Sequence, residues 1–289
     1  MSDKEAHGLD QLIMLKQIYR LLNPRWQTVF LDYKVDQKPR YGHGKPPHKG
    51  LLELIDKNRS AYAKYLKHIL TLKDQIWSLD QKLKDFSWDN GYLPGLDIVS
   101  LYGMIAYLKP QRYIEVGSGN STMIVHQAIK DHSLTTKIVS LDPNPRAAID
   151  EISHQVIRSG LEEIDLKVFD ELQAGDVLFI DNSHRILPNS DSTVFFLEVL
   201  PRLEKGVVVH IHDIYLPYDY PQFMCDRSYS EQYGLAIALL SNPSKYEILL
   251  PNYYISEDKE LATLISPLWG HGSTKDVERH GGSFWFWIA

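Results

Sequence analysis

Two short runs concentrate the side chains able to do chemistry: Asp181-Asn182-Ser183-His184 and His212-Asp213. An unperturbed imidazole titrates at about 6.5, so a histidine here can take a proton near neutrality. An adjoining carboxylate can orient that histidine or bind a hydroxyl. Upstream, Glu115-Val116-Gly117-Ser118-Gly119 places two glycines after an acid, and Ser121 and Thr122 follow. Glycine lets backbone approach a ligand where a Cβ would clash. A helix start offers free N–H donors. Glu115 at this corner repels phosphate and suits a cation. A dinucleotide fingerprint needs a third glycine, and that position holds Thr122. Asp142 closes the next apolar run, about 20 residues on, where an acid can bind a ribose diol.

These residues need elements to carry them. Tyr113, Ile114 and Val116 read as a buried strand, and residues 123–129 as the helix behind the glycine turn. Residues 137–141, 155–157, 177–180 and 207–211 read as further strands. Residues 98–108, 166–172 and 193–203 read as helices between them. Continuous apolar strands alternating with helices predict a parallel sheet covered on both faces. Ligands in such sheets bind outside the carboxyl ends of the strands. Five polar clusters fall at those ends: residues 117–119, Asp142, Leu161-Glu162, residues 181–184 and His212-Asp213. Leu161-Glu162 marks the place for an adenine edge.

The rest of the chain is more ordinary. Residues 9–22 show a helical apolar pattern ended by Asn23-Pro24. Residues 36–50 are rich in Lys, Pro, Gly and His, so His43 and His48 read as solvated loop histidines. Residues 51–83 carry an unbroken helical stripe, which predicts one long helix serving as a lid or a dimer element. Residues 87–97 form a loop, with Asp97 as a helix N-cap; Tyr92 and Asp97 are also candidates for the rim of the ligand site. His210, one step deeper than His212, reads as a hydrogen-bonded core residue. Tyr218, Tyr220 and Trp269 are candidate acceptor-pocket walls, although aromatics this numerous more often pack. Cys225 has no activating partner in sequence and reads as inert.

Composition narrows the function classes. The 289 residues are 44% hydrophobic and 24% charged, with net charge −6. A pI near 6.0 disfavours a nucleic-acid surface. One cysteine excludes an internal disulfide framework. No apolar run reaches the ~18 residues of a membrane span, and residues 1–10 lack a signal-peptide pattern. The expectation is a soluble cytoplasmic protein with no nucleic-acid or membrane partner, and a homodimer as a candidate assembly.

Phe-Ile-Asp-Asn-Ser-His at 179–184, Val-Val-Val-His-Ile-His-Asp-Ile at 207–214, Pro-Tyr-Asp-Tyr-Pro at 217–221, Glu231-Gln232-Tyr233 and Gly-Gly-Ser-Phe-Trp at 281–285 together resemble a branch of the class I S-adenosylmethionine-dependent methyltransferases. Members of that branch often accompany glycan and natural-product pathways. The likeness spans roughly residues 87–289. It implies a Rossmann-like, seven-stranded, mostly parallel α/β sheet whose last strand is antiparallel, with 246–250 and 283–288 as the late strands. The chain then divides into a helical appendage, 1–86, and a methyltransferase domain, 87–289. It further implies S-adenosylmethionine as methyl donor. Glu115, Gly117, Ser118 and Gly119 would hold its amino-acid part and Asp142 its ribose, with Ser121, Thr122 and Asp181 completing the donor set.

Under that resemblance the reaction is methylation of a hydroxyl on a sugar, glycan or other small metabolite. His212 is the leading base, with Asp213 and His184 in support, and Tyr92, Asp97 and Tyr220 on the acceptor side. Catechol-type relatives of this layout hold Mg at the equivalents of Asp181 and Asp213. Mg prefers oxygen, so His212 suits it poorly and base catalysis ranks higher. Two other readings stay open: an NAD-dependent enzyme of Rossmann type, and a catalytically silent binding module.

Overall fold

The structure, a computed structural model, describes residues 19, 21–23, 27–145 and 147–289. The chain divides into two units, Met1–Gln37 and Lys38–Ala289. In the first, Tyr19, Leu21 and Leu22 are helical. The remainder of the helix expected over 9–22 lies outside the described residues.

The second unit is built on one seven-stranded sheet. Its strands are β1 (Arg112–Val116), β2 (Lys137–Leu141), β3 (Gln155–Ile157), β4 (Val177–Ile180), β5 (Val208–Ile211), β6 (Tyr246–Pro251) and β7 (Phe284–Ile288). They run in the order β3-β2-β1-β4-β5-β7-β6. All pairings are parallel except those of β7, which runs antiparallel to β5 and β6. The apolar runs of β4 and β5 are buried throughout, as a sheet covered by helices requires. The fold is therefore the Rossmann-like α/β architecture expected from the alternation of runs.

The antiparallel strand has a consequence for function. The first residue of β7, Phe284, pairs with the last of β5, Ile211, and with the last of β6, Pro251. Residues 281–283 and Asn252 therefore arrive at the same edge as the carboxyl ends of β1, β2, β4 and β5.

Helices before the sheet belong to this body. They are α1 (Lys49–Asp56), α2 (Arg59–Thr71), α3 (Lys73–Trp77) and α4 (Leu79–Lys82), followed by α5 (Gly95–Leu108). The single long helix expected over 51–83 is thus four pieces. Thr71 Oγ1 donates to His68 O and Ser78 Oγ to Gln75 O, so hydroxyls occupy carbonyls where the turns break. Tyr62, Leu66, Ile69, Ile76 and Leu79 are buried in the same core as the strands. A Cβ on Gly103 of α5 would lie 2.5 Å from Ile69 Cγ1, which shows how closely α2 and α5 approach. The compact unit therefore begins at Lys38, and the boundary expected at 86/87 falls inside it.

The remaining helices are α6 (Asn120–Asp131), α7 (Asp191–Val194), α8 (Gln222–Cys225), α9 (Glu231–Ser241), α10 (Asn252–Glu257) and α11 (Lys259–Ile265). The helix expected over 193–203 is an α-turn that widens to a π-turn, Phe195–Val199, and tightens to 3-10 over Leu200–Arg202. Pro201 has no N–H to donate there, which breaks the regular ladder. The helix expected over 166–172 is a 3-10 segment, Leu166–Glu171, opened by the Asp165 side chain on Lys167 N–H.

Candidate active site

Gly117 forms the turn after β1. Its φ is +82°, and an added Cβ would stand 1.9 Å from Asp181 O, so both conformation and space require glycine. The turn is tied to both neighbouring strands: Gly117 N–H donates to Leu141 O and Asp181 N–H to Val116 O. Asp142 Oδ2 accepts from Ser118 N–H (2.8 Å) and Ser118 Oγ (3.2 Å), while Oδ1 accepts from Asn144 N–H. The turn and the acid at the end of β2 are one unit, and Asp142 is half-buried at the edge.

Glu115 lies beneath this turn, fully buried. Its Oε1 accepts from Thr122 Oγ1 and Ser140 Oγ, each at 2.6 Å, and its Oε2 from Ser121 Oγ at 3.3 Å. Thr122 Oγ1 also accepts Gly119 N–H (3.0 Å), closing the start of α6. Burial raises the Glu115 pKa to about 7 against the pull of the three hydroxyls. Glu115, Ser121 and Thr122, expected in the donor set, bond to one another through their side chains and hold the turn from below. Thr122 at the third fingerprint position has its own role, as this cap.

Across the edge, the ends of β4 and β5 bring two histidines against two aspartates. His184 Nε2 is 3.5 Å from Asp181 Oδ1 and 3.4 Å from Asp213 Oδ2. His212 Nδ1 is 3.5 Å from Asp181 Oδ1 and 3.7 Å from Asp213 Oδ1. The four groups form a ring of alternating imidazole and carboxylate. Each histidine spends its other nitrogen on a buried acid: His212 Nε2 on Asp97 Oδ2 (3.1 Å) and His184 Nδ1 on Glu231 Oε2 (3.1 Å). Positive φ at His184 (62°) and Asp213 (56°) marks how sharply both strands turn at the edge.

Burial opposes charge on His212, yet Asp213, Asp181 and Asp97 outweigh it and raise its pKa well above the usual histidine range. His184 is likewise raised, with burial overcome by Glu231, Asp213 and Asp181. Burial pushes the Glu231 pKa up, while the hydrogen bond and charge of His184 pull it back. Asp97 has a depressed pKa, because His212, Asn252 and the Gly282 N–H outweigh the cost of burial.

Asp97 is a correction to the sequence reading. The helix begins earlier, at Gly95 with Pro94 as its cap residue, so Asp97 is not the N-cap. It is fully buried and receives Asn252 Nδ2 (2.7 Å), Gly282 N–H (2.7 Å) and Ser283 N–H (3.0 Å) beside His212. It binds the protein's own edge, not an acceptor at a rim. Tyr220 is also corrected. It is fully buried, its hydroxyl accepts Gln232 N–H (3.0 Å), and it supports the start of α9 from within an aromatic cluster. Tyr92 stands 53% exposed on the loop before α5, with its N–H bonded to Asn90 Oδ1, outside the histidine–aspartate ring.

His210 is a packing residue, stacked on Trp285 (3.8 Å) and bonded through Nε2 to Ser283 Oγ (2.7 Å). His43 and His48 are not merely solvated. His43 Nε2 meets Asp219 O, and His48 Nδ1 accepts Leu51 N–H as the cap of α1. Cys225 is buried with its thiol pKa pushed up by burial. Among the described residues, no group of three or more His, Cys, Asp or Glu is arranged to hold a metal ion. Sequence reasoning missed Asn252 and the grip of 281–283 on Asp97. The available signal was the Gly-Gly-Ser run directly before the last strand. A cavity of ≈ 560 Å³ lies behind Asp97, lined by Leu96, Trp269, Lys259, Arg279 and His280 among others. It is separate from the glycine turn.

The sheet order and the acid–histidine edge define a Rossmann-like α/β protein with its polar groups at the carboxyl ends of the strands. Residues 114–214, which run from β1 past the end of β5, match the family model for a methyltransferase domain. No curated protein sequence matches the chain. An O-methyltransferase from Bacillus cereus in complex with S-adenosylhomocysteine is similar at 14% identity, covering 78% of this chain and 91% of that one, with TM-score 0.43. A Podospora anserina methyltransferase bound to the same compound is 14% identical over 82% and 96%, with TM-score 0.41. A branched-chain polyamine synthase from Thermus thermophilus is 9% identical over 75% and 63%, with TM-score 0.41. The sheet order, read directly from the strands, defines the fold independently of these likenesses.

Proposed function

We propose that the protein transfers the methyl group of S-adenosylmethionine to a hydroxyl of a sugar, glycan or other small metabolite. The observation that carries this reading is one juxtaposition. The Gly117–Gly119 turn, tied to Asp142, shares an edge with the His184–Asp181–His212–Asp213 ring. The match of residues 114–214 to methyltransferase domains points the same way.

The residues fit such a donor. The turn leaves no room for a side chain at Gly117, Asp142 stands half-open at the end of β2, and the acids of the edge suit a cation. S-adenosylmethionine supplies an electrophilic methyl on a sulfonium. Asp142 would orient the ribose, and the side-chain-free turn at Gly117 would let the amino-acid end lie close to backbone. Asp181 and Asp213 have side chains 22% and 17% exposed, the most open of the ring. Their oxygens would hold the acceptor hydroxyl, with Asp213 placed to take its proton, while the bound donor would supply the methyl group.

This shifts the base from His212 to Asp213. A group 3% exposed, already protonated and committed to Asp97, is badly placed to accept a proton. His212 and His184 instead keep the two aspartates fixed and balanced in charge. The ring distances of 3.4–3.7 Å are longer than good hydrogen bonds and leave room to tighten around a hydroxyl. The test is mass spectrometry of a metabolite or glycan pool incubated with the protein and isotopically labelled donor. Labelled methyl on a hydroxyl is the expected product. Loss of about 10²–10⁴-fold in kcat for Asp213→Asn, with donor affinity retained, assigns the proton acceptor.

A further inference from the structure

We infer that the acceptor carries an anionic group, a phosphate, sulfate or carboxylate, seated on Arg185 and Arg227 while its hydroxyl meets Asp213. This rests on the methyl-transfer reading above and names the substrate class of that site.

The argument begins at His184. The Tyr229 ring stacks on its imidazole at 4.8 Å and 24°, and Tyr229 is 6% exposed. Two guanidiniums converge on that same ring, Arg185 at 5.1 Å and Arg227 at 4.7 Å from the centroid. Arg185 is held in place by backbone: its Nε donates to Arg227 O (2.9 Å) and its Nη1 to Ser183 O (2.8 Å). The two loops are stitched together, since Ser230 N–H and Glu231 N–H both donate to His184 O. The Arg185 guanidinium is therefore fixed relative to the ring of histidines and aspartates, and Arg227 stands beside it against Tyr229.

Neither arginine has a carboxylate within ion-pair range among the described residues, whereas Arg59, Arg112, Arg158 and Arg202 each face one. Two like charges against one aromatic ring repel unless solvent or an anion offsets them. Guanidinium is the side chain best matched to a planar or tetrahedral oxyanion. Inside the edge the balance is opposite: Asp97, Asp181, Asp213 and Glu231 outnumber the two imidazoles. An anionic group is repelled from those carboxylates and drawn to the arginines. A bifunctional acceptor is thereby oriented, with its hydroxyl inward and its anion at the rim.

The test uses charge-matched pairs: glucose 6-phosphate and glucose, galacturonate and galactose, 3,4-dihydroxybenzoate and catechol. Transfer of labelled methyl and ligand-observed NMR binding without donor are both measured. The inference expects an anionic member to bind or react about tenfold better than its neutral partner, mainly through KM, as one desolvated ionic contact allows. R185Q/R227Q removes that preference and leaves S-adenosylhomocysteine affinity unchanged. Arg227→Gln, on an exposed side chain, serves where the double variant does not fold. Equal binding of charged and neutral partners, or a preference that survives in the variants, overturns the inference. Methyl transfer with no charge preference overturns it alone and leaves the methyl-transfer reading standing. Anion binding without any donor binding does the reverse.

Discussion

At the scale of single residues, the buried acids decide what the site can tolerate. Glu115 has its pKa raised to about 7 by burial. A carboxyl whose folded pKa lies above its unfolded value stabilises the fold fully below about pH 4.5, and that contribution is lost as pH rises through 7. The full shift corresponds to about 3 kcal/mol at most. Thermal melts from pH 5 to 8 should therefore show a steeper fall in Tm for the natural protein than for Glu115→Gln. Parallel curves would mean that Glu115 does not titrate in this range. Asp97 is the opposite case, depressed and paired with His212. Asp97→Asn leaves a buried imidazolium without its partner and should cost about 3–5 kcal/mol in denaturant unfolding. Because Asp97 bonds to His212, Asn252 and residues 282–283 and not to the glycine turn, S-adenosylhomocysteine affinity should stay within a few-fold. Loss of that affinity in a folded variant would place Asp97 in the donor site.

At the scale of elements, the strand ends set the geometry, and glycine is required only where they touch. Gly117→Ala puts a Cβ 1.9 Å from Asp181 O at φ +82° and should abolish donor-analogue binding in calorimetry. Gly175, at φ +91°, has nothing within 4 Å of where a Cβ would stand, so Gly175→Ala should cost only about 1–3 kcal/mol and leave binding intact. The contrast separates strain from collision. The strands were legible in the sequence because apolar runs ended by polar clusters encode a parallel edge directly; their order in the sheet was not. Less was legible where side chains override local pattern. The stripe over 51–83 is continuous in sequence, yet hydroxyl–carbonyl bonds at Thr71 and Ser78 divide it. Residues 281–283 reach Asp97 because β7 runs antiparallel and starts at this edge, and Asn252 because β6 ends there; both contacts span more than 150 residues, which no local motif reports. Asp97 read as a cap because an acid early in a helix usually is one.

At the scale of the whole molecule, the seven-stranded sheet and residues 38–83 share one core. Removing residues 1–37 should leave the unit folded with an unchanged melting profile. Removing 1–83 strips Tyr62, Leu66, Ile69 and Ile76 from that core and should prevent soluble folding; a soluble, cooperatively melting 84–289 fragment would show a separate appendage after all. The central claim is that the edge built on Gly117, Asp142 and the histidine–aspartate ring binds S-adenosylmethionine. Titration calorimetry with S-adenosylhomocysteine tests it most directly, with NAD as the competing ligand and Asp142→Ala as the control. The account predicts one-to-one binding of S-adenosylhomocysteine, weakened about tenfold or more in Asp142→Ala, as loss of a charge-assisted hydrogen bond entails, and no heat from NAD. Binding of NAD in place of S-adenosylhomocysteine, or binding that Asp142→Ala leaves untouched, would contradict it.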